Sequence, residues 1–237
     1  IQAINPNNSE KILEIGPGLG ALTTQILNKI DHINVVEIDP DMIKALQEKI
    51  PSTSITIFSS NILEISNDSI AEYDKVIGNL PYYISSEILI KMTKTIKNQK
   101  ELHFMLQKEV AERIASSTHS KSYGRLSVML QYFFEIDLLF DIQPESFSPS
   151  PKVTSSLVRL IPKKNYKNKV KNINNFEKLL KTSFAQKRKT IKNNLKSMLN
   201  DNDLNILGVN PQDRAEMLTL SDFVRIENYI FDKKILD

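Results

Sequence analysis

Glu14-Ile15-Gly16-Pro17-Gly18-Leu19-Gly20-Ala21-Leu22-Thr23 decides the fold. Ahead of the glycines, Lys11-Ile12-Leu13-Glu14-Ile15 is a short apolar run. Behind them, Ala21-Leu22-Thr23-Thr24-Gln25-Ile26-Leu27 reads as a helix, so the stretch is strand, glycine turn, helix. In such a turn, backbone N–H groups and the helix N-terminus face a ligand, and glycine lets the chain approach it closely. Glu37 closes the next strand, 21 residues after Gly16, where a carboxylate accepts hydrogen bonds from ribose hydroxyls. Gly16, Gly18, Gly20 and Glu37 are therefore candidates to hold an adenosine-containing cofactor. Ala21 can stand in the place of a third fingerprint glycine, so these residues alone do not separate NAD from S-adenosylmethionine.

Outward from the turn, strand and helix signals alternate. Ile33 to Ile38 is a second strand, and Asp39-Pro40 caps and starts a helix running through Met42, Ala45, Leu46 and Ile50. Ser54 to Phe58, Lys75 to Gly78 and Leu102 to Leu106 read as further strands, and Glu87 to Thr95 and Gln107 to Ala115 as helices. That alternation implies a parallel sheet covered on both faces. After Arg125 a helix through Leu130 and Phe134 leads to two strand-like runs, Ile136 to Ile142 and Val153 to Ile161. The Pro-rich stretch Pro144 to Pro151 joins them, as expected of an antiparallel addition at a sheet edge. Beyond Pro162 strand signals cease, and Phe176 to Ser183, Arg188 to Leu199 and Ser221 to Phe231 look helical. The expected organisation is an α/β domain over 1–163 and a small helical domain over 164–237.

Composition narrows the function. Of the 237 residues, 41% are hydrophobic and 25% charged, enough apolar surface for a core. There is no Cys, which excludes disulfides, thiolate metal sites and cysteine nucleophiles. His32, His103 and His119 are too scattered for a metal cluster, so no metal is expected. No apolar run approaches the roughly 20 residues of a membrane span. Ile1-Gln2-Ala3-Ile4 has neither an initiator Met nor a signal-peptide pattern. The sequence is expected to begin inside a longer protein that is cytoplasmic, monomeric and not membrane-associated. Net charge is only +3, yet Lys152 to Asn200 holds 14 basic residues and one acidic residue, leaving 17 basic and 27 acidic elsewhere. Such a block is a footprint for a polyanion, although a solvated Lys-rich face gives the same pattern.

Gly78-Asn79-Leu80-Pro81-Tyr82, at the end of the fourth strand, separates the cofactor classes. An adenine amino group is a poor nucleophile because its lone pair is delocalised into the ring. Two acceptors placed for its two N–H bonds, the Asn79 side-chain oxygen and the Leu80 carbonyl, favour the tetrahedral nitrogen that attacks a methyl sulfonium. Pro81 lacks an N–H and fixes the chain there. Tyr82 can stack on an extruded base, worth roughly 1–3 kcal/mol. Phe147 is the candidate for the other side of that sandwich, or else a packing anchor in a Pro-rich loop. No strong general base is needed, because the methylated nitrogen is ammonium-like and loses its proton to solvent. Asn61, after the third strand, is placed to meet the cofactor's adenine amino group, though Asn there is also a common turn residue. Ile38 and Ile62, beside Glu37 and Asn61, complete the candidate cofactor set.

Together these segments resemble the KsgA-type ribosomal RNA adenine dimethyltransferases. The likeness is carried by Glu14 to Thr23, Val36-Glu37-Ile38-Asp39, Gly78 to Ser85, Phe104 to Val110 and Tyr123 to Val128. Phe147 to Val153 and Lys187-Arg188-Lys189-Thr190-Ile191 extend it along essentially the whole chain. The resemblance implies a class I (Rossmann-like) methyltransferase with a mostly parallel seven-stranded sheet and a small C-terminal α-helical domain. It implies S-adenosylmethionine as methyl donor, S-adenosylhomocysteine as product, and dimethylation of N6 on two adjacent adenosines in a hairpin near the 3′ end of small-subunit rRNA. Small-subunit rRNA, or the assembling 30S subunit, is the implied partner. The family's cofactor contacts fall on Gly16, Glu37, Asn61 and Asn79, and its base-holding roles on Asn79, Leu80 and Tyr82, with Phe147. Lys181, Lys187, Arg188, Lys189, Lys192 and Lys196 are the candidate RNA-binding residues.

Two departures stand out. The family usually carries Asp where Asn61 stands, and a Gln-Asn-Phe-Leu segment before the first strand touches the cofactor; this sequence begins after it, so the pocket is expected to be incomplete. Three other readings are open. Macrolide-resistance methylases of large-subunit rRNA usually read Asn-Ile-Pro-Tyr where this chain has Asn79-Leu80-Pro81-Tyr82. A non-catalytic RNA-binding assembly factor on the same fold would not need that tetrapeptide. An NAD-dependent oxidoreductase fits Gly16 and Glu37 but leaves the tetrapeptide and the basic block unexplained.

Overall fold

The computed structural model describes residues 1–97, 99–147, 150–166 and 169–235. Ser148 and Pro149, inside the Pro-rich stretch expected to join the last two strands, lie outside the described residues. So do Lys167 and Asn168 of the polar stretch after Pro162.

The chain divides into two compact units, Ile1–Ala111 with Glu135–Pro162, and Glu112–Phe134 with Lys163–Asp237. The first is built on a seven-stranded sheet: β1 (Ile12–Ile15), β2 (Ile33–Glu37), β3 (Ile55–Ser59), β4 (Lys75–Asn79), β5 (Glu101–Gln107), β6 (Phe134–Ile142) and β7 (Ser155–Pro162), in the order β3-β2-β1-β4-β5-β7-β6. The pairs from β3 through β5 are parallel, and β7 runs antiparallel to β5. The strand order reverses between β1 and β4, so the crevice at their C-terminal ends is where open α/β sheets place ligands.

Local chemistry makes the elements. All four residues of β1 are buried, as expected of a central parallel strand. One face of the sheet packs Ile12, Ile33, Val35, Ile55 and Ile77 against Ile26 of α1 (Ala21–Leu27) and Leu46 of α2 (Pro40–Lys49). On the opposite face, Leu13, Val36 and Phe58 line a cavity of about 240 Å³ with Ile70 of α3 (Asn67–Ile70) and Tyr73. The Asp39 carboxylate caps α2 by accepting from the Asp41 and Met42 amides, and Pro40 fills the first helical position. Helix α4 spans Ser85–Met92 and α5 Lys108–Ala115.

The second unit holds α6 (Arg125–Phe133), α7 (Ile173–Ser183), α8 (Ile191–Leu195), α9 (Asp201–Ile206) and α10 (Leu220–Asp232). Its core includes Tyr132, Phe176, Leu179, Leu180, Phe223 and Ile226, with the Tyr132 and Phe176 ring centroids 4.9 Å apart. The buried Glu227 carboxylate of α10 accepts from the Lys171 and Asn172 amides, satisfying donors ahead of α7.

Two expectations change. The first unit's last strand ends at Pro162, close to the expected boundary, but residues 112–134 group with the helical unit, because Tyr132 on α6 packs its ring on Phe176 of α7. The helix expected from Arg188 to Leu199 is only Ile191–Leu195. Thr190 is extended and bridged to Arg214, which holds the chain out of helical dihedrals before Ile191, and a tight turn from Leu195 to Met198 ends the helix.

Candidate active site

The glycine turn after β1 takes the conformation its residues were chosen for. Gly16, Gly18 and Gly20 all have positive φ, at 65°, 55° and 74°. Gly18 has open space where a β-carbon would point, whereas a β-carbon on Gly20 would lie 2.8 Å from Leu46 Cδ2. Gly20 therefore serves the packing of α2 onto the turn, and Gly16 and Gly18 line the opening. Glu37, at the tip of β2, is built in from three sides. Its Oε2 accepts the Gly18 amide at 3.2 Å, and its Oε1 accepts the Ile38 and Asp39 amides at 2.8 and 3.0 Å. A carboxylate with three backbone donors is pre-positioned, and the remaining lone pairs can receive ribose hydroxyls.

The end of the third strand adjoins Glu37. The Ser60 amide donates to the Glu37 carbonyl, and Asn61 follows directly. The Asn61 side-chain oxygen already accepts the Leu63 amide at 3.0 Å, an Asx turn. Ile62 is buried, whereas Ile38 is 61% exposed, an apolar surface beside the Glu37 carboxylate. Lys91 of α4 fixes the following loop, donating to the Leu63 and Ile65 carbonyls and to Asn67 Oδ1. Burial holds the Lys91 ammonium below the ordinary lysine range.

The fourth strand delivers Asn79 to the same place. A β-carbon on Gly16 would lie 3.8 Å from the Asn79 carbonyl oxygen, so the glycine turn and the end of β4 are in contact. Gly78 makes this possible: it pairs with Ile15, and a β-carbon there would meet the Ile15 carbonyl oxygen at 2.5 Å. Asn79 is exposed and pairs with Met105; Leu80 is buried and donates its amide to the Met105 carbonyl. Tyr82 is half-buried, its phenol 2.7 Å from Ser155 Oγ, and its carbonyl accepts the Ser85 hydroxyl.

The structure thus gathers Gly16, Gly18, Glu37 and Asn79 at neighbouring strand tips, with Asn61 and Ile62 following β3. An open glycine cradle, a fixed carboxylate, an apolar surface at Ile38 and an amide at Asn79 make a donor set that fits S-adenosylmethionine. Phe147 is half-buried after a short 3-10 turn, Pro144–Ser146, and among the described residues no ring contact joins it to Tyr82. Of the candidate RNA-binding residues, Lys181 lies in the last turn of α7, Lys187, Arg188 and Lys189 lie between α7 and α8, and Lys196 caps the end of α8. Lys187 donates to the Lys121 carbonyl, and Lys192 pairs with Asp201 at 3.2 Å. Among the described residues no group of His, Asp or Glu has the makings of a metal site, and no helix is long and apolar enough to cross a membrane.

One charged residue of β1 is buried. Glu14, inside β1, is 1% exposed, and its Oε2 accepts the Thr23 hydroxyl at 2.7 Å. Burial pushes its carboxyl up to about 7; the Thr23 hydrogen bond opposes this and the nearby Glu37 charge adds to it. A charged residue within an otherwise apolar central strand was the available signal.

Comparison with known proteins gives the family. The family model for ribosomal RNA adenine dimethylase matches residues 1–232. A Neisseria gonorrhoeae protein named ribosomal RNA small subunit methyltransferase A is 42% identical over 235 residues, covering 99% of this chain and 91% of the relative. A protein of the same name from Methylobacillus flagellatus is 42% identical over 97% of this chain and 90% of its own. Among solved structures, a dimethyladenosine transferase from Plasmodium falciparum superposes with a TM-score of 0.82 at 25% identity, covering 99% of this chain and 94% of that one. The 23S rRNA methyltransferase ErmE, at 21% identity and a TM-score of 0.68 over 97% of this chain and 94% of its own, shares the fold. A full-length family match, a sheet with the strand order described above, and a glycine turn facing Asn-Leu-Pro-Tyr converge: the chain belongs to the ribosomal RNA adenine dimethylase family.

Proposed function

We propose that this chain transfers methyl groups from S-adenosylmethionine to N6 of two adjacent adenosines in the 3′-terminal hairpin of small-subunit rRNA, and so takes part in small-subunit maturation. The observation that supports the reading is the approach of the Asn79 backbone carbonyl to the turn at Gly16, which brings the end of β4, where Asn79-Leu80-Pro81-Tyr82 begins, beside the proposed cofactor cradle. Identity of 42% to small-subunit methyltransferases over nearly the whole chain supports small-subunit over large-subunit rRNA.

Gly16, Gly18, Glu37, Ile38, Asn61 and Ile62 hold the cofactor, whose sulfonium supplies an electrophilic methyl group when bound. Asn79 Oδ1 and the Leu80 carbonyl accept the two N–H bonds of the target amino group and direct its lone pair toward that methyl. Pro81 fixes the backbone that carries the second acceptor. Tyr82 supports the face of the base, and Phe147 closes over the other. Catalysis is positioning plus electrostatic stabilisation, and the proton leaves the methylated nitrogen for solvent. The adenosines must be extruded or splayed, because a stacked, paired N6 is out of reach. Lys181, Lys187, Arg188, Lys189 and Lys196 hold rRNA phosphates, with Lys192 contributing less because of Asp201. The protein works as a monomer in the cytoplasm, where small subunits assemble.

The test supplies labelled S-adenosylmethionine with unmethylated small subunits in one reaction and large subunits in another. Label in small-subunit adenines alone is expected. Label in large-subunit adenines would establish the macrolide-resistance type of specificity, and retention of RNA with no label in either would establish an assembly factor without turnover.

A further inference from the structure

We propose that Ser155 is a positioning residue that sets the plane of the Tyr82 ring, and so the geometry in which the target base is presented. The inference rests on the reading of Tyr82 as the surface that supports the base. Tyr82 lies just beyond β4, where loop backbone would leave its ring free to tilt. Three attachments remove that freedom. Pro81 fixes the preceding residue, the Ser85 hydroxyl donates to the Tyr82 carbonyl at 3.1 Å, and the phenol oxygen lies 2.7 Å from Ser155 Oγ. The third reaches the far end of the ring.

Ser155 is suited to hold that end. It is the first residue of β7, pairs in register with Gln107 at the end of β5, and is 0% exposed. Its backbone is fixed on both flanks. The Thr154 carbonyl accepts the Lys108 amide at 3.0 Å, and the Ser156 hydroxyl donates to Asp141 Oδ1 at 2.6 Å, with Asp141 Oδ2 paired to Lys108 Nζ at 2.5 Å. The Ser155 hydroxyl thus transmits the rigidity of the sheet to a ring that belongs to a loop. A buried hydroxyl and a phenol that satisfy each other form one unit, and removing either partner breaks the same constraint.

The experiment measures kcat, and KM for S-adenosylmethionine, on unmethylated small subunits for the wild type, Ser155→Ala, Tyr82→Phe, the double variant and Tyr82→Ala. Each of the first two substitutions should lower kcat by about 10-fold, the equivalent of one hydrogen bond. The double variant should lose no more than either, and KM for S-adenosylmethionine should stay at the wild-type value. Wild-type kcat in Ser155→Ala, or losses that multiply in the double variant, would overturn the proposal. Tyr82→Ala separates the two levels. If it is inactive while Ser155→Ala is fully active, only the positioning role falls; if it retains wild-type kcat, the reading of Tyr82 itself falls.

Discussion

Gly16 and Asn79 meet across the tips of β1 and β4: a β-carbon on Gly16 would sit 3.8 Å from the Asn79 carbonyl oxygen. That approach follows from the parallel pairing of Ile15 with Gly78 and from Gly78 having no side chain to push the strands apart. It brings the end of β4 beside the glycine turn, and in the proposed reaction holding nucleophile and methyl donor at two such neighbouring points is what lowers the bimolecular barrier.

Asn79→Ala should abolish most turnover while leaving RNA retention largely intact. Loss of a preorganised acceptor in the transition state costs about 100- to 1000-fold in kcat. Incorporation of labelled methyl, read beside a filter-binding assay of rRNA, checks both halves; turnover within tenfold of wild type would remove Asn79 from the chemistry.

Glu37→Gln keeps the shape of the side chain but replaces one carboxylate oxygen with a donor, which opposes one of the Gly18, Ile38 and Asp39 amides that now donate to it. Affinity for S-adenosylmethionine should fall by about 10-fold or more, the scale of a lost charge-assisted hydrogen bond. Calorimetric titration measures this directly, and an unchanged Kd would exclude Glu37 from the cofactor site.

Asn61→Asp should tighten S-adenosylmethionine. The one acceptor atom of the Asn61 side chain already receives the Leu63 amide. A carboxylate keeps that turn and adds a second, charged acceptor for the adenine amino group. The gain should be several-fold, on the order of 1 kcal/mol. The same titration decides it: equal or weaker binding would place the adenine elsewhere.

Glu14→Gln should flatten the pH dependence of stability. Burial raises the folded carboxyl from 4.5 to about 7, so between those values the folded state binds more protons than the unfolded state. The contribution is fully present below about pH 4.5 and is lost as pH rises through about 7, to a total of at most about 3 kcal/mol. Urea unfolding from pH 5 to pH 8 should show the wild type losing stability relative to Glu14→Gln over that window. Parallel curves would mean that Glu14 ionises as freely in the folded protein as in the unfolded chain.

Binding to rRNA should weaken steeply with salt. Replacing Lys187, Arg188 and Lys189 together by Ala should lower the slope of log K against log salt by about 2, whereas Lys192→Ala, already paired with Asp201, should change it less. A wild-type slope near zero would argue against a phosphate-binding role for the block.

The sequence by itself determined the succession of strands and helices, the glycine turn, and the chemical identities of Glu37 and Asn79, because each is written locally in apolar period, turn residues and side-chain type. It also offered Asn61 as a turn residue, and the Asx turn it forms with the Leu63 amide, two residues on, is equally local. Only the tertiary structure decided that β4 lies beside β1, which brings Gly16 to Asn79; that Ser155 reaches Tyr82, 73 residues away; and that residues 112–134 join the helical unit. Such pairings depend on which strands become neighbours and in what register, and that choice is made by burying many apolar residues at once. No single stretch of the chain carries it.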